Sequence, residues 1–154
     1  PRLSFLKWGF ETPKRRPLIN ARAETLFQRS AFRDAFARRR CLVPADGFYE
    51  WPIEEGRKHA VWIRRPDRKV FAFAGLWEPG ADGKPDACTL VTTVPTKALA
   101  FVHDRMPVIL PPEDYARWLE VGVRDPRTLT GLLLPRETFP LEVVEAPPLS
   151  RAVR

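Results

Sequence analysis

Cysteine and histidine are scarce in this sequence, and long apolar runs are missing. Only Cys41 and Cys88 occur in 154 residues, too few for a disulfide framework, so a reducing, cytoplasmic setting is the expectation. Two histidines, His59 and His103, do not make a closed zinc site, and neither a metal nor another cofactor is expected. No stretch approaches the ~20 apolar residues of a membrane span. The start carries no charged segment followed by an apolar one, so no secretion leader is expected. Methionine is nearly absent, and the chain opens on Pro1, as a processed form or a fragment would. Negative charge is also in deficit: 19 Asp plus Glu face 26 Lys plus Arg, for a net +7. That excess suits a polyanionic partner, of which nucleic acid is the commonest.

What is present is enough for one domain over residues 1–154 with a real core, since 44% of the residues are hydrophobic. Leu3–Phe10 is a short β-type run, followed by a basic loop, 12–17, fenced by Pro13 and Pro17. Ala23–Phe36 has helical apolar spacing and divides into two helices where Ser30 can cap the second. From Arg40 onward the pattern is β-rich. Strands are expected over 41–43 and 47–51, broken by Pro44, then over 60–63, 70–77 and 88–93, with turns at 54–57, 66–69 and 79–85. A helical turn is expected over 95–101, a short strand at 108–110 and a helix over 115–121. Asp125 caps a further helix over 125–134 with Pro126 at its first position, and a last strand covers 141–144. The fold class is α+β: mainly antiparallel sheet, curled toward a barrel, with a few short flanking helices.

Three polar runs carry the chemistry. In His103-Asp104-Arg105-Met106-Pro107, His103 lies in a loop held by a proline, and an imidazole passes protons near neutrality. His59, in a charged stretch after a turn, reads as a solvated surface residue. In Ala45-Asp46-Gly47-Phe48-Tyr49-Glu50-Trp51, Glu50 sits among aromatics. Desolvation there would lift its carboxyl toward an acid/base range, although strand alternation also allows a wet outward face. In Asn20-Ala21-Arg22-Ala23-Glu24-Thr25, the Asn20 amide can orient an amine, but its spacing favours N-capping of the next helix. Arg22 and Arg105 are candidate phosphate clamps, and Glu24 can pair with one of them. Of five tryptophans, most read as core; Trp51, beside Glu50, is the candidate base-stacking platform.

Taken in order, these runs, with Arg40-Cys41-Leu42-Val43-Pro44 joined to the second, resemble the SRAP family, the SOS-response-associated peptidase-like proteins. Trp8-Gly9 and Leu149-Ser150-Arg151-Ala152-Val153 fit as well, so the resemblance covers essentially the whole chain. It implies a barrel-like α+β domain with a basic groove for single-stranded DNA containing abasic sites. It further implies a covalent thiazolidine crosslink through an N-terminal cysteine that follows a removed Met. By the same resemblance Asn20 holds the α-amine, Glu50 and His103 shuttle protons, and Arg22 and Arg105 hold flanking phosphates. A monomer in the cytoplasm, associated with the nucleoid at DNA damage, is the expected form, with no membrane and no obligate protein partner.

Two departures qualify the resemblance. The family's N-terminal segment and its nucleophile would precede Pro1, and neither Cys41 nor Cys88 offers amine and thiol on one residue. The family's Pro-x-Trp segment after Trp-Gly is shortened to Glu11-Thr12-Pro13-Lys14-Arg15-Arg16. The alternatives are a non-covalent single-stranded-DNA binding module, and a thiol autopeptidase that removes a propeptide.

Overall fold

The computed structural model describes residues 2–13 and 16–147. Lys14, Arg15 and the run Leu149–Val153 lie outside them. The strands in chain order are β1 Lys7–Trp8, β2 Asn20–Arg22, β3 Arg40–Ala45, β4 Gly47–Glu50, β5 Ile53–Glu54, β6 Arg57–Lys58, β7 Val61–Arg64, β8 Phe71–Pro79, β9 Pro85–Thr93, β10 Met106–Pro107, β11 Ile109–Leu110 and β12 Glu142–Glu145. Two α-helices, α1 Ser30–Arg38 and α2 Tyr115–Leu119, accompany 3-10 segments at Ala23–Thr25, Pro112–Asp114 and Pro126–Leu133. The fold is mixed α+β and mostly antiparallel sheet, as the sequence implies.

Two long strands organise the sheet. β8 and β9 form a hairpin, and β3 lies along the other edge of β8. Beyond Gly75 and Leu90 the hairpin splays, and residues 106–110 enter the split. Met106 and Pro107 pair with β9, and Ile109 and Leu110 pair with β8. Val108 bonds both sides, donating to Val91 O at 2.8 Å and accepting from Ala74 N at 2.9 Å. On its outer edge β9 pairs in parallel with β1 and β2. A second sheet, in the order β12-β7-β4, packs over one face.

Alternation along the strands separates two cores. Ala74, Leu76 and Val91 face α1 and α2, where Phe32, Phe36 and Trp118 are fully buried. Phe71, Phe73 and Leu90 face the second sheet, meeting Val61, Ile63, Leu99, Val102 and Met106. Arg40 joins the helices to the sheet. Its buried guanidinium donates to Phe36 O, Ala37 O and Trp118 O at 2.6–2.7 Å, and to Glu120 O. The carbonyl ends of two helices thus receive one cation, a favourable charge–dipole arrangement.

Several expectations are corrected. The sheets do not close into a barrel, because β1, β2, β10 and β11 are two or three residues long and carry no ladder around the molecule. Only Lys7–Trp8 of the 3–10 run is strand; Phe10 makes an isolated bridge to Leu18. Pro44 does not break β3, which is an edge strand where a missing N–H is tolerated. The 23–36 helix is a 3-10 turn followed by α1, and Ser30 is its first residue rather than a side-chain cap. Residues 97–102 form successive turns. Asp125 does cap the next segment, accepting from Arg127 N, but that segment is 3-10 rather than α.

Candidate functional site

The first and third polar runs meet across β9. Thr92 pairs with Arg22 of β2 on one edge and with Pro107 of β10 on the other. Residues 103–105 form a loop between Val102 and Met106, both buried in the second core, so both ends of the loop are anchored. Arg105 closes the gap between the runs. Its Nη1 donates to Glu24 Oε1 at 2.8 Å, and its Nη2 to Glu24 Oε2 at 3.0 Å and Thr92 O at 2.6 Å. This fork holds the Glu24 carboxyl below the usual carboxylate range, and the charge of Arg22 acts in the same direction. The strength of the bond is therefore full at neutral pH and fades only as acid titrates Glu24.

His103 lies in the same loop. Its Nδ1 accepts the backbone N–H of Arg105 at 3.0 Å, and Asp104 Oδ1 stands 2.9 Å from the same nitrogen. One ring nitrogen cannot accept the first and donate to the second at once. With the Arg105 bond made, the neutral ring carries its proton on Nε2; protonating Nδ1 transfers that nitrogen to Asp104.

The second run joins through β4. Gly47 pairs with Arg64 and Glu50 with Val61. A Cβ at Gly47 would lie 2.1 Å from Trp62 Nε1 and 2.7 Å from Ile63 O, so glycine is what lets β4 lie flat on β7. Phe48 then turns inward onto Phe73. Glu50, two residues on, shares that face and is half-buried. Burial pushes its carboxyl upward; the charge of His103 opposes this and that of Asp104 adds to it. The charges of His103 and Asp104 thus act on Glu50, so the 103–105 loop lies near the end of β4.

Asn20 is not a helix cap. It sits in β2 opposite Leu90 and is exposed. Arg22 is exposed and makes no ion pair among the described residues. Trp51 follows β4 and is 47% exposed. Trp8, read as core from the sequence, is 60% exposed, with its indole N–H bonded to Ile19 O beside Asn20. Its neighbour Gly9 has φ +111° and packs against Pro17, a tight turn that leaves the Trp8 ring on the surface. Trp118 is fully buried. His59 stands apart, 3.7 Å from Glu54 on the β5–β6 hairpin. The sequence held no sign of Thr92, whose contribution is a backbone carbonyl.

Neither cysteine is an activated thiol. Cys41 is pushed up to about 12, chiefly by burial, and burial also raises Cys88. Among the described residues no group of three or more His, Cys, Asp or Glu is arranged to hold a metal ion.

The β8–β9 hairpin is thus wedged by residues 106–110, directly after the His-Asp-Arg loop, and a glutamate comes in from a second sheet. The family model described as SOS response associated peptidase (SRAP) matches residues 1–154, and the chain belongs to that family. It is 38% identical over 154 residues to the abasic site processing protein YoqW of Bacillus subtilis (strain 168), covering 94% of this chain and 69% of that protein. Among solved structures, a Bordetella bronchiseptica protein superposes with a TM-score of 0.75 at 26% identity, covering 92% of this chain and 74% of the other. A Bacteroides thetaiotaomicron protein gives 0.73 at 27% identity, covering 84% of this chain and 58% of the other.

Proposed function

We propose that residues 1–154 are the recognition and proton-transfer part of a protein that captures abasic sites in single-stranded DNA as a covalent adduct. The observation that supports this reading is that the charges of the 103–105 loop act on half-buried Glu50 while β2, bearing Asn20 and Arg22, pairs with the same strand β9 that receives Met106 and Pro107, in a chain whose relative YoqW is named for abasic site processing. The nucleophile is an N-terminal cysteine that is not among these residues. A ring-opened abasic sugar offers an aldehyde. The cysteine α-amine adds to it, the carbinolamine loses water to form an imine, and the thiol adds across C=N, placing sulfur on carbon and the proton on nitrogen. Asn20 orients the amine. Glu50, whose carboxyl burial pushes upward, and His103 supply and remove protons at the sugar.

Arg22, exposed and unpaired among the described residues, holds a flanking phosphate. Arg105 has both amino groups on Glu24 and Thr92, so it acts on the strand through its charge and by ordering the loop. Trp51, and Trp8 beside Asn20, are surfaces for base stacking. The same cysteine would also suit removal of a short propeptide, and the protein acts as a monomer.

The test uses the complete protein with its N-terminal cysteine and a single-stranded oligonucleotide carrying one abasic site. A heat-stable protein–DNA band is expected, absent with intact DNA and lost on mutating that cysteine. No band with the native N-terminus would overturn the reading.

A further inference from the structure

We infer that Glu24 is the positioning residue of this site: by holding both amino groups of Arg105 it fixes the 103–105 loop, and through it the tautomer of His103. The inference rests on the reading just given and names a residue that reading leaves without a part in the chemistry. Three observations carry it. The Glu24–Arg105 pair is a parallel fork, 2.8 and 3.0 Å, the geometry in which a guanidinium has least freedom. Arg105 is also tied to Thr92 O at 2.6 Å, and its Nε is buried without a partner, so releasing Glu24 would leave a poorly satisfied cation in a mostly buried place. Finally, the backbone N–H that meets His103 Nδ1 belongs to Arg105 itself. A side chain clamped at its tip fixes the peptide at its root.

The consequence is chemical. While the clamp holds, His103 Nδ1 is an acceptor and Nε2 bears the proton, so the neutral ring is ready to donate from Nε2. When it loosens, Asp104 competes for Nδ1 and the tautomer mixture broadens. Glu24 touches neither the sugar nor the nucleophile in this scheme. Its carboxylate also offsets a positive charge close to Arg22. Removing that carboxylate leaves the DNA-facing surface more cationic while the proton shuttle is less well placed.

The test is Glu24→Gln, which keeps the side-chain shape and one acceptor oxygen. With only two histidines in the sequence, ring 15N shifts of residues 1–154 can be assigned directly, using His59→Gln as the reference. In the parent, His103 is expected to report the Nε2–H tautomer. Glu24→Gln should move the His103 ring nitrogens toward a tautomer average and leave those of His59 unchanged. Glu24→Asp, with its charge retained, should return them part of the way. In the complete protein the same Glu24→Gln change should slow adduct formation about tenfold while affinity for intact single-stranded DNA holds or rises. Unchanged His103 shifts overturn the inference, as does a fall in rate and affinity together in step with lost thermal stability. Should the complete parent protein form no adduct at all, the functional reading fails, but the shift experiment still decides the role of Glu24.

Discussion

Glu50, the proposed acid/base carboxyl, shows what such a group asks of the fold. Its ordinary value is 4.5, and burial raises it in the folded chain. A carboxyl raised on folding binds its proton more tightly folded than unfolded. Its contribution is favourable below the ordinary range and becomes a cost as pH rises through the folded value. At neutral pH the charged Glu50 therefore opposes folding, and Glu50→Gln should hold or raise the thermal midpoint at pH 7. That advantage over the parent should shrink as the pH is lowered toward 4. Adduct formation by the complete protein should fall in the same variant. Thermal melts across pH, set beside crosslinking rates, check both halves; a midpoint that drops at pH 7 would show that Glu50 is structural. Glu24 has the opposite sign, since its lowered value makes it stabilising above the carboxylate range and lost only on strong acidification.

At the scale of elements, β4 is the part on which Glu50 depends, and Gly47 is the part on which β4 depends. Gly47→Ala would place a methyl against Trp62 Nε1 and the Ile63 carbonyl, where neither can give way without parting β4 from β7. Overpacking of this kind costs about 1–3 kcal/mol, or roughly 2–12 °C in a domain of this size. The loss should be accompanied by slower crosslinking in the complete protein, because Glu50 leaves the face it shares with Phe48. Calorimetry and gel assays together would show it.

Much at this scale was legible from the sequence, and the failures have identifiable causes. Apolar runs between turn residues located β7 and β8 within a residue or two, and β9 except for its first three residues. Pro44 misled because proline breaks a central strand, and β3 is at an edge. Asp125 and Pro126 marked a helix start correctly, but the hydroxyls of Thr128 and Thr130 bond back three residues, to Asp125 O and Arg127 O, in a segment that is 3-10 throughout. Asn20 was placed by strand pairing with β9, a partner seventy positions away that no local pattern encodes. The three runs were visible as chemistry; that β9 would stand between two of them was not.

For the whole molecule, the excess of cations is the term that decides how it meets a polyanion. With a net charge of +7, binding of residues 1–154 to single-stranded DNA should weaken steeply with salt, each phosphate contact adding about −0.7 to the slope of log affinity against log salt. Arg22→Ala should lower that slope by about one contact, measured by fluorescence anisotropy across salt. An unchanged slope would remove Arg22 from the interface. The segment that wedges β8 from β9 has a further implication, for how the chain folds. The β8–β9 hairpin is local and can form early, whereas residues 106–110 enter it only once both strands exist. The Val108 amide, closed on Val91 and lying under two cores, should then exchange its hydrogen only through global unfolding, at the slowest rate in the molecule. The loop bearing His103 begins three residues before that segment takes up its pairing with β9. The 103–105 loop would therefore be ordered in the last cooperative step, and a partly folded chain would not yet hold His103 in place.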